Sequence, residues 1–125
     1  MRLSSQRHGG SVLAIKRVRS DAALYLRKDG GWTGNATPYI KIIFKNVRQY
    51  DREKGFSLRP KLDTEGDLRT NCTYLYDELY HDESGYEVHM LFCTPKALRY
   101  LTISSEDIEL EDNIALEAVV QGDHQ

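Results

Sequence analysis

Residues 73–92, TYLYDELYHDESGYEVHMLF, gather four tyrosines, two histidines and a run of carboxylates around one turn. Side chains of these types can shuttle protons, hold a cation or build a contact surface, and their spacing selects among the three. With Asp82 to Gly85 as the turn of a hairpin, His81 faces Tyr86, and Leu79/Val88, Asp77/Met90, Leu75/Phe92 and Thr73/Thr94 share one face. That face is mostly apolar and turns to the core. The other face then sets Tyr74, Tyr76, Glu78 and Tyr80 against Glu87, His89, Leu91 and Cys93, a tyrosine ladder with a Glu78–His89 pair at its centre. Tyrosine packs well on a strand and leaves its hydroxyl wet, so such a row serves equally as a sheet wall or as a docking face.

Catalytic and metal chemistry fit less well. His89 and Cys93 share a face but stand four residues apart on one strand, roughly 13 Å at Cα, too far for a nucleophile and its base. Cys72 and Cys93 fall as diagonal neighbours about 7–8 Å apart, which suits free thiols better than a disulfide. His8, His81, His89 and His124 lack the spacing of a metal site. The Gly-rich DGGWTGN, residues 29–35, lacks the Lys-Ser/Thr ending of a phosphate loop. No catalytic residue, metal or cofactor is therefore assigned.

The elements that must position these residues read as strands, because period-2 alternation outweighs helical periodicity. Val12–Val18 and Ala23–Lys28 form a first pair around SDA. Tyr39–Arg48 follows, with Ile40, Ile42 and Phe44 on one face and Lys41, Ile43, Lys45 and Val47 on the other. Residues 50–69 turn polar and are broken by Gly55, Pro60 and Gly66, the pattern of a long surface loop. Strands at 72–81, 86–94 and 98–103 come next. In SSEDIELEDNIALEAVVQ, Ile108 and Leu110 alternate as in a strand, whereas Ser105 with the acids behind it would suit a helix start. The strand reading is preferred through Leu110. Residues 1–10 and 112–125 read as flexible flanks of a single domain spanning 1–125.

At 125 residues, 40% apolar and 29% charged, one core suffices and the chain is too hydrophobic to be wholly disordered. No run approaches the roughly 18 apolar residues of a membrane span, and MRLSSQRHGGSVLAIKRV has charges where a secretory segment needs apolar length. A cytoplasmic location is expected. Residues 1–48 carry ten Lys or Arg against Asp21 and Asp29, a net +8, while residues 49–125 carry seven against seventeen acids, a net −10. The two halves can steer charged partners or cancel where their strands lie side by side. In the first case Lys16, Arg17, Arg19, Lys41 and Lys45, with Tyr25 and Tyr39 interleaved, would form a nucleic-acid surface.

The order RHGGSVLAI, LYL, YIKIIFKNVRQY, a late hairpin and LTISSEDIELE resembles small β-rich bacterial immunity proteins of polymorphic and contact-dependent toxin systems. In that class an early His-Asp-x-x-Ile/Val opens the first strand, and the central strand reads apolar-x-apolar-x-Phe-x-x-Val. Here His8 and Val12 match the first motif, with Gly9 at its acidic position, and Ile40, Ile42, Phe44 and Val47 match the second. Ile108 and Leu110 match the acidic, aliphatic last strand. The resemblance covers residues 8–111 and implies a noncatalytic protein that occludes a toxin domain, commonly a basic one. Glu78, Asp82, Glu83 and Glu87 around the tyrosines, and Glu106, Asp107, Glu109, Glu111 and Asp112 beyond them, supply opposite charge.

The expectation is thus a mostly β chain, one antiparallel β-sandwich or curled sheet of about six to eight strands with room for one short helix. Its function is protein binding through Tyr74, Tyr76, Glu78, Tyr80, Glu87 and His89, with no cofactor, as a monomer or homodimer. The alternatives are a nucleic-acid module on the basic half, or a small β-protein with a structural or dimerising role.

Overall fold

A computed structural model describes residues 11–27, 39–53, 56, 58–62, 68–69 and 72–121. The mostly β expectation holds. Strands β1 (Ser11–Val18), β2 (Asp21–Arg27), β3 (Tyr39–Arg52), β6 (Thr73–Asp82), β7 (Gly85–Cys93) and β8 (Leu98–Ile114) form one antiparallel sheet, ordered β1-β2-β3-β8-β7-β6 and closed into a barrel. The sheet curls on itself rather than splitting into a sandwich. A two-stranded pair, β4 (Lys61–Leu62) with β5 (Leu68–Arg69), and one short helix, α1 (Leu116–Gln121), complete the described elements. The expected flank at 1–10 and the DGGWTGN loop lie outside the described residues.

Two long strands make the curl possible. β3 and β8 pair from Tyr39/Ile114 to Arg52/Leu101, while β2 covers only the first half of β3 and β7 only the first half of β8. Irregularities in the β3–β8 register bend this ribbon, and Asn46 adopts a left-handed φ of 54° within it. The bend corrects the expected alternation. Ile40, Ile42 and Phe44 do point inward, but beyond Asn46 both Val47 and Tyr50 also pack against the interior.

That interior is a cluster built by Leu24, Leu26, Ile42, Phe44, Tyr74, Val88, Phe92, Leu101 and Ile103. Strand β2 is apolar on both faces, as a strand covered on both sides must be. Its outer residues Ala23 and Tyr25 join Leu13, Ala14 and Tyr39 in a second cluster, capped by Val119 of α1. Lys16 reaches across to donate a 2.5 Å hydrogen bond to the Val119 carbonyl, holding the end of the helix. The tail expected to be flexible is therefore partly built in: β8 runs past Leu110 to Ile114, and α1 follows it. Residues 105–114 are strand, not a helix capped by Ser105.

The polar stretch 50–69 is likewise more than a surface loop. Tyr50 to Arg52 belong to β3, and Phe56 enters the core 5.7 Å from the Phe92 ring. Among the described residues strands β1 and β6 meet only at Ser11/Thr73, with Val12 N–H donating to Cys72 O at 2.8 Å. Farther along, the Leu58 carbonyl accepts from Ile15 N–H at 3.0 Å and fills the gap that the diverging strands leave.

Candidate docking face

The β6–β7 hairpin turns at Glu83 and Ser84, with Asp82 paired to Gly85. Asp82 Oδ1 accepts from the Ser84 N–H at 2.8 Å and its hydroxyl at 2.6 Å, and these bonds hold the carboxyl below its ordinary range. Gly85 sits at φ +131°, and a Cβ there would meet the Ser105 carbonyl and stand 2.8 Å from the Arg48 guanidinium. Glycine is the residue that this close approach permits. From the turn, the pairs His81/Tyr86, Tyr80/Glu87, Leu79/Val88, Glu78/His89 and Asp77/Met90 follow the expected register.

One tyrosine departs from it. The register shifts between Tyr74 and Tyr76, so that Tyr74 pairs with Phe92 and turns into the barrel. There it is 1% exposed, meets the Phe92 ring edge-on at 5.5 Å, and donates a 2.5 Å hydrogen bond to the buried Asp77 carboxylate. Tyr74 is a core residue and is removed from the outer row. The shift also serves the interior, because a buried Asp77 carboxylate is stabilised by donors and the bulge brings the Tyr74 hydroxyl to it.

The other five expected residues share the outer surface. Tyr76 and Tyr80 donate to the two oxygens of Glu78 at 3.2 and 3.1 Å, clasping its carboxylate from both sides. That bond keeps the Tyr80 proton on, raising its hydroxyl above the ordinary range. His89 Nε2 meets Glu87 Oε2 at 2.6 Å, its Nδ1 meets the Thr102 hydroxyl at 3.3 Å, and its ring lies edge-on to Tyr80 at 5.6 Å. The His89 ring is thus engaged by Glu87 and Thr102. Ser104 donates to the remaining Glu87 oxygen at 3.4 Å.

Strand β8 extends this surface with residues that the sequence reading left out. Leu91 faces Tyr100 and Cys93 faces Leu98, and Tyr100 and Leu98 are 51% and 56% exposed. The signal was available: Leu101 and Ile103 alternate inward, which sends Tyr100 and Thr102 outward. Where the face meets the hairpin tip, Arg48, Gln49, His81, Tyr86 and Ser104 border a shallow concavity of about 460 Å³. The His81 and Tyr86 rings are stacked there at 4.3 Å. Among the described residues no three His, Cys, Asp or Glu side chains converge as a metal site.

Among the described residues the basic side chains of the first half gather only in part: Lys16 and Lys41 both lie over the Tyr25 ring, at 4.8 and 5.5 Å, and Arg27 lies over Tyr39, but acids stand beside others. Lys45 bridges to Asp21 at 3.2 Å and stands opposite Asp107, Lys41 stands opposite Glu111, and the Lys16 ammonium is spent on α1. Pairing of β3 with β8 therefore cancels much of the asymmetry between the two halves of the chain. Among the described residues no helix is long and apolar enough to cross a membrane.

Fold and surface together define a small closed antiparallel β-barrel with one tyrosine- and carboxylate-rich wall. No family model, curated protein or solved structure matches the chain.

Proposed function

We propose that this chain is a noncatalytic protein-binding domain whose β6–β7–β8 wall docks the basic surface of a partner protein. The observation that carries this reading is the wall's composition: Tyr76, Tyr80 and Tyr100 stand on rigidly paired strands around Glu78 and Glu87, whose carboxylates are already oriented by hydrogen bonds. Tyrosines so held offer large contact area at small entropic cost, and a preoriented carboxylate loses little freedom when a cation arrives. Asp51 on β3 stands opposite Thr102, and Asp82 and Glu83 stand at the hairpin tip beside Arg48, while Arg99 is occupied by Glu53. Charge complementarity of this kind speeds association and selects basic partners.

The immunity-type resemblance makes the partner a toxin domain encoded beside this chain. Its test is co-purification with the product of the neighbouring reading frame, comparing the wild type with the Tyr76→Ala/Tyr80→Ala double variant. Both substitutions are outside the core, so the variant keeps its far-UV circular dichroism. Stoichiometric capture of a basic protein by the wild type is expected, with binding weakened by about 2–4 kcal/mol in the variant. Equal capture by the folded variant, or no capture by the wild type, overturns the reading.

A further inference from the structure

Away from the tyrosine wall, the barrel seam opens a second concavity. After Ser11/Thr73 strands β1 and β6 diverge, and the bent end of β3 carries Tyr50 and Arg52 to within reach of Ile15 and Arg17. Residues 58–60 close the third side and leave a cleft of about 430 Å³. Its walls carry three guanidinium groups, from Arg17, Arg52 and Arg59, and no carboxylate among the described residues lines it. Lys16 also lines it, with its ammonium directed to the Val119 carbonyl of α1.

Two of these arginines are held by main-chain carbonyls, as Arg48 is at the hairpin tip, and not by acids. Lys45 and Arg99 are each neutralised by an acid, Asp21 and Glu53. In the cleft, by contrast, Arg17 Nε donates to the Asp21 main-chain carbonyl at 3.2 Å while its guanidinium lies 4.9 Å over the Tyr50 ring. Arg52 donates to the Phe56 carbonyl at 2.5 Å. Carbonyls fix the direction of a guanidinium without cancelling its charge, so two forks are oriented, and among the described residues no acid pairs with any of the three. Burial raises the Tyr50 hydroxyl above its ordinary range, which keeps it a proton donor at the cleft.

We infer that this cleft binds a small organic molecule carrying a phosphate or pyrophosphate group. Guanidinium forks match phosphate oxygens two at a time. Three cations also suit a group bearing close to two negative charges better than the single charge of a carboxylate. Ile15, Leu58 and Pro60 give the organic part an apolar wall, and the volume falls within the roughly 300–1,000 Å³ of small-molecule sites. A polynucleotide would need the positive track to continue along the barrel. Among the described residues that track is interrupted, since Lys45 bridges to Asp21, and Lys41 and Lys45 stand opposite Glu111 and Asp107.

The probe is pyrophosphate, titrated into the ¹⁵N-labelled full chain at physiological salt and followed by amide shifts, with a fluorescent single-stranded oligonucleotide as the competing arm. Saturable shifts centred on Ile15, Tyr50 and Leu58 are expected. Arg59→Ala should weaken binding at least about tenfold, and so should Arg17→Gln. Arg59 is exposed, so its variant keeps the wild-type spectrum elsewhere and remains informative should Arg17→Gln unfold. Absence of saturable shifts overturns the assignment, as does binding that a folded Arg59→Ala leaves unchanged. Oligonucleotide binding that pyrophosphate does not displace, with shifts spread over other strands, overturns it in favour of a nucleic-acid surface.

Discussion

Cys72 and Cys93 illustrate how far two like side chains can be driven apart by their surroundings. Cys72 is 2% exposed inside the barrel, and burial pushes its thiol up to about 12, whereas Cys93 lies partly exposed on the outer wall. Thiolate is the reactive form. Alkylation of the folded chain in mildly alkaline buffer is therefore expected to modify Cys93 and spare Cys72 until denaturant is added, with mass spectrometry of the peptides as the readout. The same burial has a stability consequence of definite sign. From the ordinary value of 9.0 up to about 12, the unfolded chain gives up a proton that the folded chain keeps, so this contribution to stability is complete below pH 9 and lost as pH rises. Urea midpoints should fall across that window, and less so in Cys72→Ala than in the wild type. Tyr74 is the other residue redefined by its surroundings, since alternation alone sends it outward whereas inside it packs on Phe92 and donates to Asp77.

At the scale of the element, the strands were legible and their irregularities were not. Alternating apolar residues marked β1, β2, β3, β6 and β7, and the pairing from the 82–85 turn back to Tyr76 follows from turn length alone. A bulge costs one unpaired residue and is repaid by contacts distant in sequence, so nothing in the local pattern announces those at Leu13, Leu75 and Arg48. The β1–β2 turn carries a similar hidden cost. Arg19 stands at φ 59° in the two-residue connection, a conformation in which a side chain is unfavourable and glycine is not. Arg19→Gly is expected to raise stability by about 0.5–1 kcal/mol, measured by urea denaturation with an unchanged m-value.

For the whole molecule, closure depends on a segment that looks like a polar loop. Among the described residues one pair joins β1 to β6, and Phe56 and Leu58 pack at this seam from inside and from the edge. Phe56→Ala is expected to cost about 3–5 kcal/mol. Hydrogen exchange should then accelerate first at Val12 and Ile15, whose amides bond across this seam, and uniform acceleration throughout the barrel would show that the seam is not a separate unit. The opposite rim has a different protection. Beyond Ser105, β8 pairs only with β3 among the described residues, and its free edge carries Glu106, Asp107, Glu109 and Glu111. A second copy paired antiparallel along that edge would set carboxylates beside carboxylates, which blunts the edge against extension.

Local alternation and turn chemistry determined the strand content, the inward faces of β2, β3 and β7, and the outer placement of Tyr76, Glu78, Tyr80, Glu87 and His89. These follow from a period of two residues and need no distant partner. Barrel closure, the inward turn of Tyr74, the helix laid over β2 and the three arginines brought together at the seam were decided by tertiary structure. Each depends on which strand halves lie side by side, and that is set by how two long bent strands share their neighbours around one core.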